Sequence, residues 1–208
     1  DKILTIEENN PEVLVLLSNV YRNQGMFNEQ IDILDIILKF DPNNKDAQSD
    51  KRAAFKALGK DVSDVDKERW EAEPSNVQYG LDYIQSLKGT GNTEKIIEVC
   101  NELLVYEKYN KDVLRSLGDA YLNLYKEDDA LNVYINIAKI DPMNYKVALD
   151  ISEILTSKEQ YQDALEWAEK AISISGSKGE TYYQRAEVYF SVAESCSGDP
   201  IQFWDKIV

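Results

Sequence analysis

Apolar residues recur along this chain at intervals of three and four, the spacing of a helix that buries one face. Within 111–144, Leu114, Leu117, Gly118 and Tyr121 share the face of a first helix, and Ala130, Tyr134 and Ile137 share the face of a second. The pattern predicts helices throughout and no β-sheet. Between the helical stretches stand turns that pair an acid with a proline: Asp41-Pro42, Glu73-Pro74 and Asp141-Pro142. Proline lacks the amide donor and clashes with the preceding turn, so each of these ends a helix. Pro42, Pro74 and Pro142 stand 32 and then 68 residues apart, and 68 is twice 34. The unmarked phases of that spacing are Lys108, in YEKYNKD, and Gly176, in SISGSKGE, which both read as turns.

The helical faces keep the same period. Adding 34 to the positions above gives Ala148, Ile151, Ser152 and Leu155, then Ala164, Ala168 and Ala171. The first full period gives Leu14, Leu17, Ser18 and Tyr21, then Gln30, Leu34 and Ile37. Each period therefore holds two amphipathic helices joined by a short turn. Two such helices approach closely only where one side chain is small, as expected at Ser18, Gly118, Ser152 and Ala186.

These residues resemble the tetratricopeptide repeat, a 34-residue helix–turn–helix unit. Its first helix carries a large residue, Leu, a small residue and Tyr, and a Pro follows its second helix. The resemblance implies an all-α, right-handed solenoid of stacked antiparallel helix pairs. It divides the chain into the end of a preceding repeat at 1–10, then 11–44, a degenerate 45–76, 77–110, 111–144, 145–178 and an incomplete 179–208. Over 45–76, Lys51 and Arg52 occupy core phases and DVSDVDKERWEAE is highly charged. An irregular or shortened second helix anchored by Trp70 is expected there. Both ends read as cut: Ile3-Leu4 falls 34 residues before Ile37-Leu38, and the last repeat stops at Val208. Solenoids end in caps with a polar outer face, so the array is expected to continue past one or both ends.

Composition narrows the function classes. Apolar residues make up 43% and charged residues 29%, enough for a sizeable core. A net charge of −15 argues against nucleic-acid phosphates and anionic membrane surfaces. No apolar run approaches the length that spans a bilayer. DKILTIEENNPEV lacks the layout of a signal peptide. This favours a cytoplasmic location, unless a leader was removed, which would place the chain in an exported or periplasmic setting. Histidine is absent, which removes the commonest general base and transition-metal ligand. Cys100 and Cys196 make neither a disulfide framework nor a zinc site, so no cofactor and no metal is expected. No catalysis is expected.

Two local patterns invite chemistry and fail on inspection. From Asp61 or from Asp64, the acid-rich stretch lacks both the ligand spacing and the central glycine of a calcium loop. It reads instead as a solvated helix face with a start cap. Gly89-Thr90-Gly91-Asn92 follows a helix and precedes no lysine, so it is no phosphate loop.

In proteins similar to this one, positions 2, 5, 9 and 12 of the first helices line a concave groove that holds a protein segment. Carried onto this sequence, the expected groove residues are Asn19, Arg22, Lys56, Gln85, Lys88, Arg115, Leu122, Leu149, Tyr183 and Phe190. Arg22, Lys56 and Lys88 take position 12 in three successive units, a candidate rail for carboxylates. Leu122, Leu149, Tyr183 and Phe190 would supply apolar anchors. A clamp for chaperone carboxyl termini, with Lys at position 5 and Asn at position 9, is not spelled out, and Asp119 is expected to offset Arg115 at i+4. The expected role is a scaffold or adaptor that binds a peptide or protein. The alternative is a regulatory or substrate-presenting region of a larger enzyme, transporter or secretion assembly.

Overall fold

All regular structure among the described residues is helical, in keeping with the three-and-four spacing. The computed structural model describes residues 10–176, 178–196 and 200–207. Ile3-Leu4, Val208 and part of the SCSGDP turn lie outside them. The helices form two compact units that divide after Asn92. In the first unit α1 (Pro11–Asn23), α2 (Phe27–Phe40), α3 (Lys45–Ala57), α4 (Ser63–Ala72) and α5 (Val77–Lys88) each pack on their sequence neighbours. The second unit holds α6 (Thr93–Tyr106), α7 (Lys111–Asn123), α8 (Glu127–Ile140), α9 (Tyr145–Ser157), α10 (Tyr161–Ser175), α11 (Gly179–Ser195) and α12 (Pro200–Ile207). There too neighbours pack in order, with α11 also touching α9 and α12 touching α10. No described helix is long and apolar enough to cross a membrane.

The core consists of the periodic residues. In the first unit Leu14, Ile33, Leu34, Ile37 and Ala47 cluster, with Leu17 and Tyr21 packed against them. In the second, Leu114, Ala130, Tyr134, Ile137, Val147, Ile151, Leu155 and Ala164 form part of one larger cluster. The small residues sit where close approach was expected. A Cβ on Gly118 would lie 2.9 Å from Tyr134 Cε2, and the Ser152 hydroxyl donates to the Ala164 carbonyl at 2.8 Å. Ser18 is buried as well. Ala186 departs from the pattern: it is exposed, with Tyr182 and Tyr189 beside it at 43% and 40%. The reason is that α11 turns Thr181, Val188 and Val192 inward instead. The following helix α12 has eight residues, about 12 Å of length, against fifteen in α10.

The degenerate stretch buries ion pairs beside a small apolar core of Ala47, Ala54, Val65 and Trp70. Helix α4 is ten residues long, with Trp70 buried and stacked on Tyr83 at 5.8 Å between ring centroids. The N-cap position of α4 is Val62, which offers no side-chain cap; Asp61, one residue earlier, accepts from the Ser63 amide at 2.9 Å. The face is not simply solvated, however, because Asp66 and Arg69 are buried. Asp66 pairs with Arg52 and lies 3.5 Å from Arg69, and Arg69 reaches Asp82 at 3.2 Å. Lys51 bridges Asp35 and Glu68 at 3.0 and 2.9 Å. The two cations at core phases are therefore neutralised in place, which burial requires.

Candidate functional site

The first helices of each unit carry the expected groove residues. In the first unit Arg22, Lys56 and Lys88 are each the basic residue of the last turn, of α1, α3 and α5 respectively. That places positive charge at the carboxyl end of each helix dipole. Arg22 is not free: it donates to Asp50 Oδ1 at 3.0 Å and to Asn19 Oδ1 at 2.6 Å. Lys56, Gln85 and Lys88 are exposed, and neither lysine makes an ion pair among the described residues.

In the second unit Arg115 is half-exposed and its guanidinium lies 2.8 Å from Asp150 Oδ2. That oxygen is buried, and the Arg115 guanidinium is its partner. Burial pushes the Asp150 carboxyl above the usual range, and Arg115 only partly opposes it. The expected offset of Arg115 by Asp119 is present as a smaller electrostatic contribution beside the pair with Asp150 of the next first helix. Asp119 also accepts from the Tyr134 hydroxyl, whose proton is held by burial and by that bond. Asp50, Asp82 and Asp150 all stand at position 6 of a first helix, facing Arg22, Arg52 and Arg115 of the preceding one at 3.0, 3.9 and 2.8 Å. The sequence shows the recurrent acid of this device but not its partner, because the three arginines share no register.

Two adjoining cavities open along the first helices of the second unit. One, of about 190 Å³, is lined by Leu122, Asp150, Glu153, Ile154 and Ser157. The other, of about 500 Å³, shares Glu153 and Ser157 and adds Tyr183 and Glu187 among its walls. The Tyr183 hydroxyl is hydrogen-bonded to Glu187, which raises its pKa. The structure therefore brings Leu122 and Tyr183 to neighbouring hollows. Leu149, half-buried, and Phe190, 59% exposed, line neither. Among the described residues no group of His, Cys, Asp or Glu could hold a metal ion. Cys100 and Cys196 are buried and form no disulfide.

No family model matches this sequence. No curated protein matches it. Solved structures do match. YrrB, a TPR protein with an unusual peptide-binding site, is 15% identical, covers 89% of this chain and 96% of its own, and superposes with a TM-score of 0.64. A tetratricopeptide repeat protein from Parabacteroides merdae is 16% identical over 90% of this chain and 75% of its own, also at 0.64. MamA is 17% identical over 82% of this chain and 94% of its own, at 0.63. At such identities the likeness establishes the fold, and the fold is that of tetratricopeptide-repeat proteins.

Proposed function

We propose that this protein is an interaction scaffold that binds an extended protein segment along the first helices of its repeats, and that it acts by binding rather than catalysis. The observation that carries this reading is the pair of adjoining cavities on α7, α9 and α11, walled by Leu122, Glu153, Tyr183 and Glu187. Stacked helix pairs present such faces for chains of many sequences, because backbone placement is repetitive and side chains vary. The fold's likeness to YrrB, itself a peptide-binding TPR protein, supports the same reading. In the first unit the exposed Lys56 and Lys88, with Arg22 and Gln85, form the corresponding row.

The test is selection of peptides from a displayed random library on the purified chain, with bound peptides mapped by NMR shift perturbation. Binders should perturb α7, α9 and α11 more than α8 and α10, and a Leu122→Ala/Tyr183→Ala variant should retain helix content while losing them. Recovery of no binders, or of binders that map only to second helices, would overturn the reading.

A further inference from the structure

The first helices of the second unit carry a recurrent acid. Asp119, Glu153 and Glu187 stand 34 residues apart, at the same position of α7, α9 and α11. Tyr134 engages the first of them. Glu153 and Glu187 make no ion pair with a cation of this chain among the described residues, and both wall the cavity of about 500 Å³. Tyr183, 65% exposed, stands beside them with its hydroxyl on Glu187 and its ring open to solvent. The adjoining hollow adds Asp150, which is already paired with Arg115 and so leaves Glu153 and Glu187 as the carboxylates without a cation. Two cations of these helices are committed elsewhere, Arg115 on α7 to Asp150 and Arg185 on α11 to Glu169. Hollow, aromatic wall and unbalanced carboxylates thus coincide on one face.

Resting on the reading of this face as a segment-binding groove, we infer that its occupant is a basic protein segment with two Lys or Arg residues three positions apart. Packed helices lie roughly 8–10 Å apart. A polyproline II segment advances about 3.1 Å per residue and returns to the same face every third residue, about 9.3 Å on. One cation then meets Glu153 and the next meets Glu187, and the Tyr183 ring takes the stem of a long cationic side chain. An acidic segment would meet like charge at Glu153 and Glu187 and is rejected at this part of the face.

The experiment titrates three fluorescent ten-residue probes against the full chain by anisotropy, with each binding site mapped by NMR shift perturbation: one with Lys at two positions three apart, one with Glu in their place, and one with Gln. The variants are Glu153→Gln/Glu187→Gln, and Glu102→Gln/Glu166→Gln as a control of equal charge change on the second helices α6 and α10. The lysine probe should bind at least about tenfold more tightly than the glutamate probe, and only the groove variant should lose it, again by about tenfold. Melting curves of both variants should match the parent. Equal loss in both variants would mean general attraction to an acidic protein and would overturn the inference. If the Gln or Glu probe binds as tightly as the Lys probe and perturbs α9 and α11, the inference fails while the groove reading survives. If no probe perturbs that face, both fail.

Discussion

At the scale of single residues, the tightest constraint is the contact between Gly118 and the Tyr134 ring. Alanine is favoured over glycine inside a helix by about 1 kcal/mol. Here its Cβ would meet Tyr134 Cε2 at 2.9 Å and Cζ at 3.1 Å. The ring has little room to retreat, because it is buried and its hydroxyl is held by Asp119. Overpacking of this kind costs about 1–3 kcal/mol, so Gly118→Ala should lower stability despite its propensity, and Gly118→Leu should lower it further. An unchanged urea midpoint for either variant would show that the helices can separate at no cost. Asp66 makes the second test. It is fully buried and serves two arginines, Arg52 and Arg69. Removing one partner of a buried pair costs about 3–5 kcal/mol, so Asp66→Ala should be among the most damaging changes in the first unit. Amide exchange on α3 and α4 reports it directly; protection equal to the parent's would refute the assignment. Gly118 was legible in the sequence as a small residue at a recurrent phase. Asp66 was not, because an acid in a charged run looks solvated until Arg52 and Arg69 are seen to converge on it.

At the scale of the element, the turns between repeats are more specified than acid and proline alone suggest. An asparagine three residues past the acid recurs at Asn44, Asn76, Asn110 and Asn144. Asn44, Asn110 and Asn144 accept from amides of the following helix, at 3.0 Å to Ala47, 3.1 Å to Val113 and 3.4 Å to Val147. Their side-chain amides donate back to Asp41, Glu107 and Asp141. One residue thus closes the turn and caps the next helix. The spacing was readable in the sequence once proline is dropped as the marker, since Glu107–Asn110 keeps the device without it. A lysine opening the first helix completes it twice, with Lys45 on Glu73 at 2.9 Å and Lys111 on Asp141 at 3.0 Å. The Lys111 hydrogen bond holds the Asp141 carboxyl below the ordinary range. A lowered carboxylate stabilises the fold above its unfolded pKa and loses that contribution as pH falls through the folded value. Lys111→Ala should therefore return the Asp141 titration upward toward the ordinary carboxylate range, as read by carboxyl-carbon NMR. A titration curve that does not move would remove Lys111 as the cause.

At the scale of the whole molecule, the repeat was legible because each period needs the same small contact and the same stop. What the sequence could not disclose is which charges are already spent inside the fold. Arg22 and Arg115 read as groove cations, yet each is tied to the aspartate of the following first helix. Lys56 and Lys88 remain outward-facing, and both close a helix at its negative end. Two roles are therefore open to the row Arg22, Lys56 and Lys88, and they make different predictions. As helix-end charges, each contributes about 0.3–1 kcal/mol to stability at low salt and nothing to binding. As a rail for carboxylates, the row attracts an acidic extended segment, and the attraction fades as salt rises because exposed charges beyond about 8 Å are screened at physiological ionic strength. We expect the rail to act through Lys56 and Lys88, with Arg22 contributing less because Asp50 already neutralises it. Changing all three to Ala should weaken an acidic probe peptide by about tenfold, roughly 1.4 kcal/mol, at low salt and by less at high salt. The measurement is a titration of parent and triple variant at two salt concentrations, beside a thermal melt of each. Equal affinities at both concentrations, with a lower melting temperature alone, would assign these cations to the helix ends and leave the first unit without a charged rail.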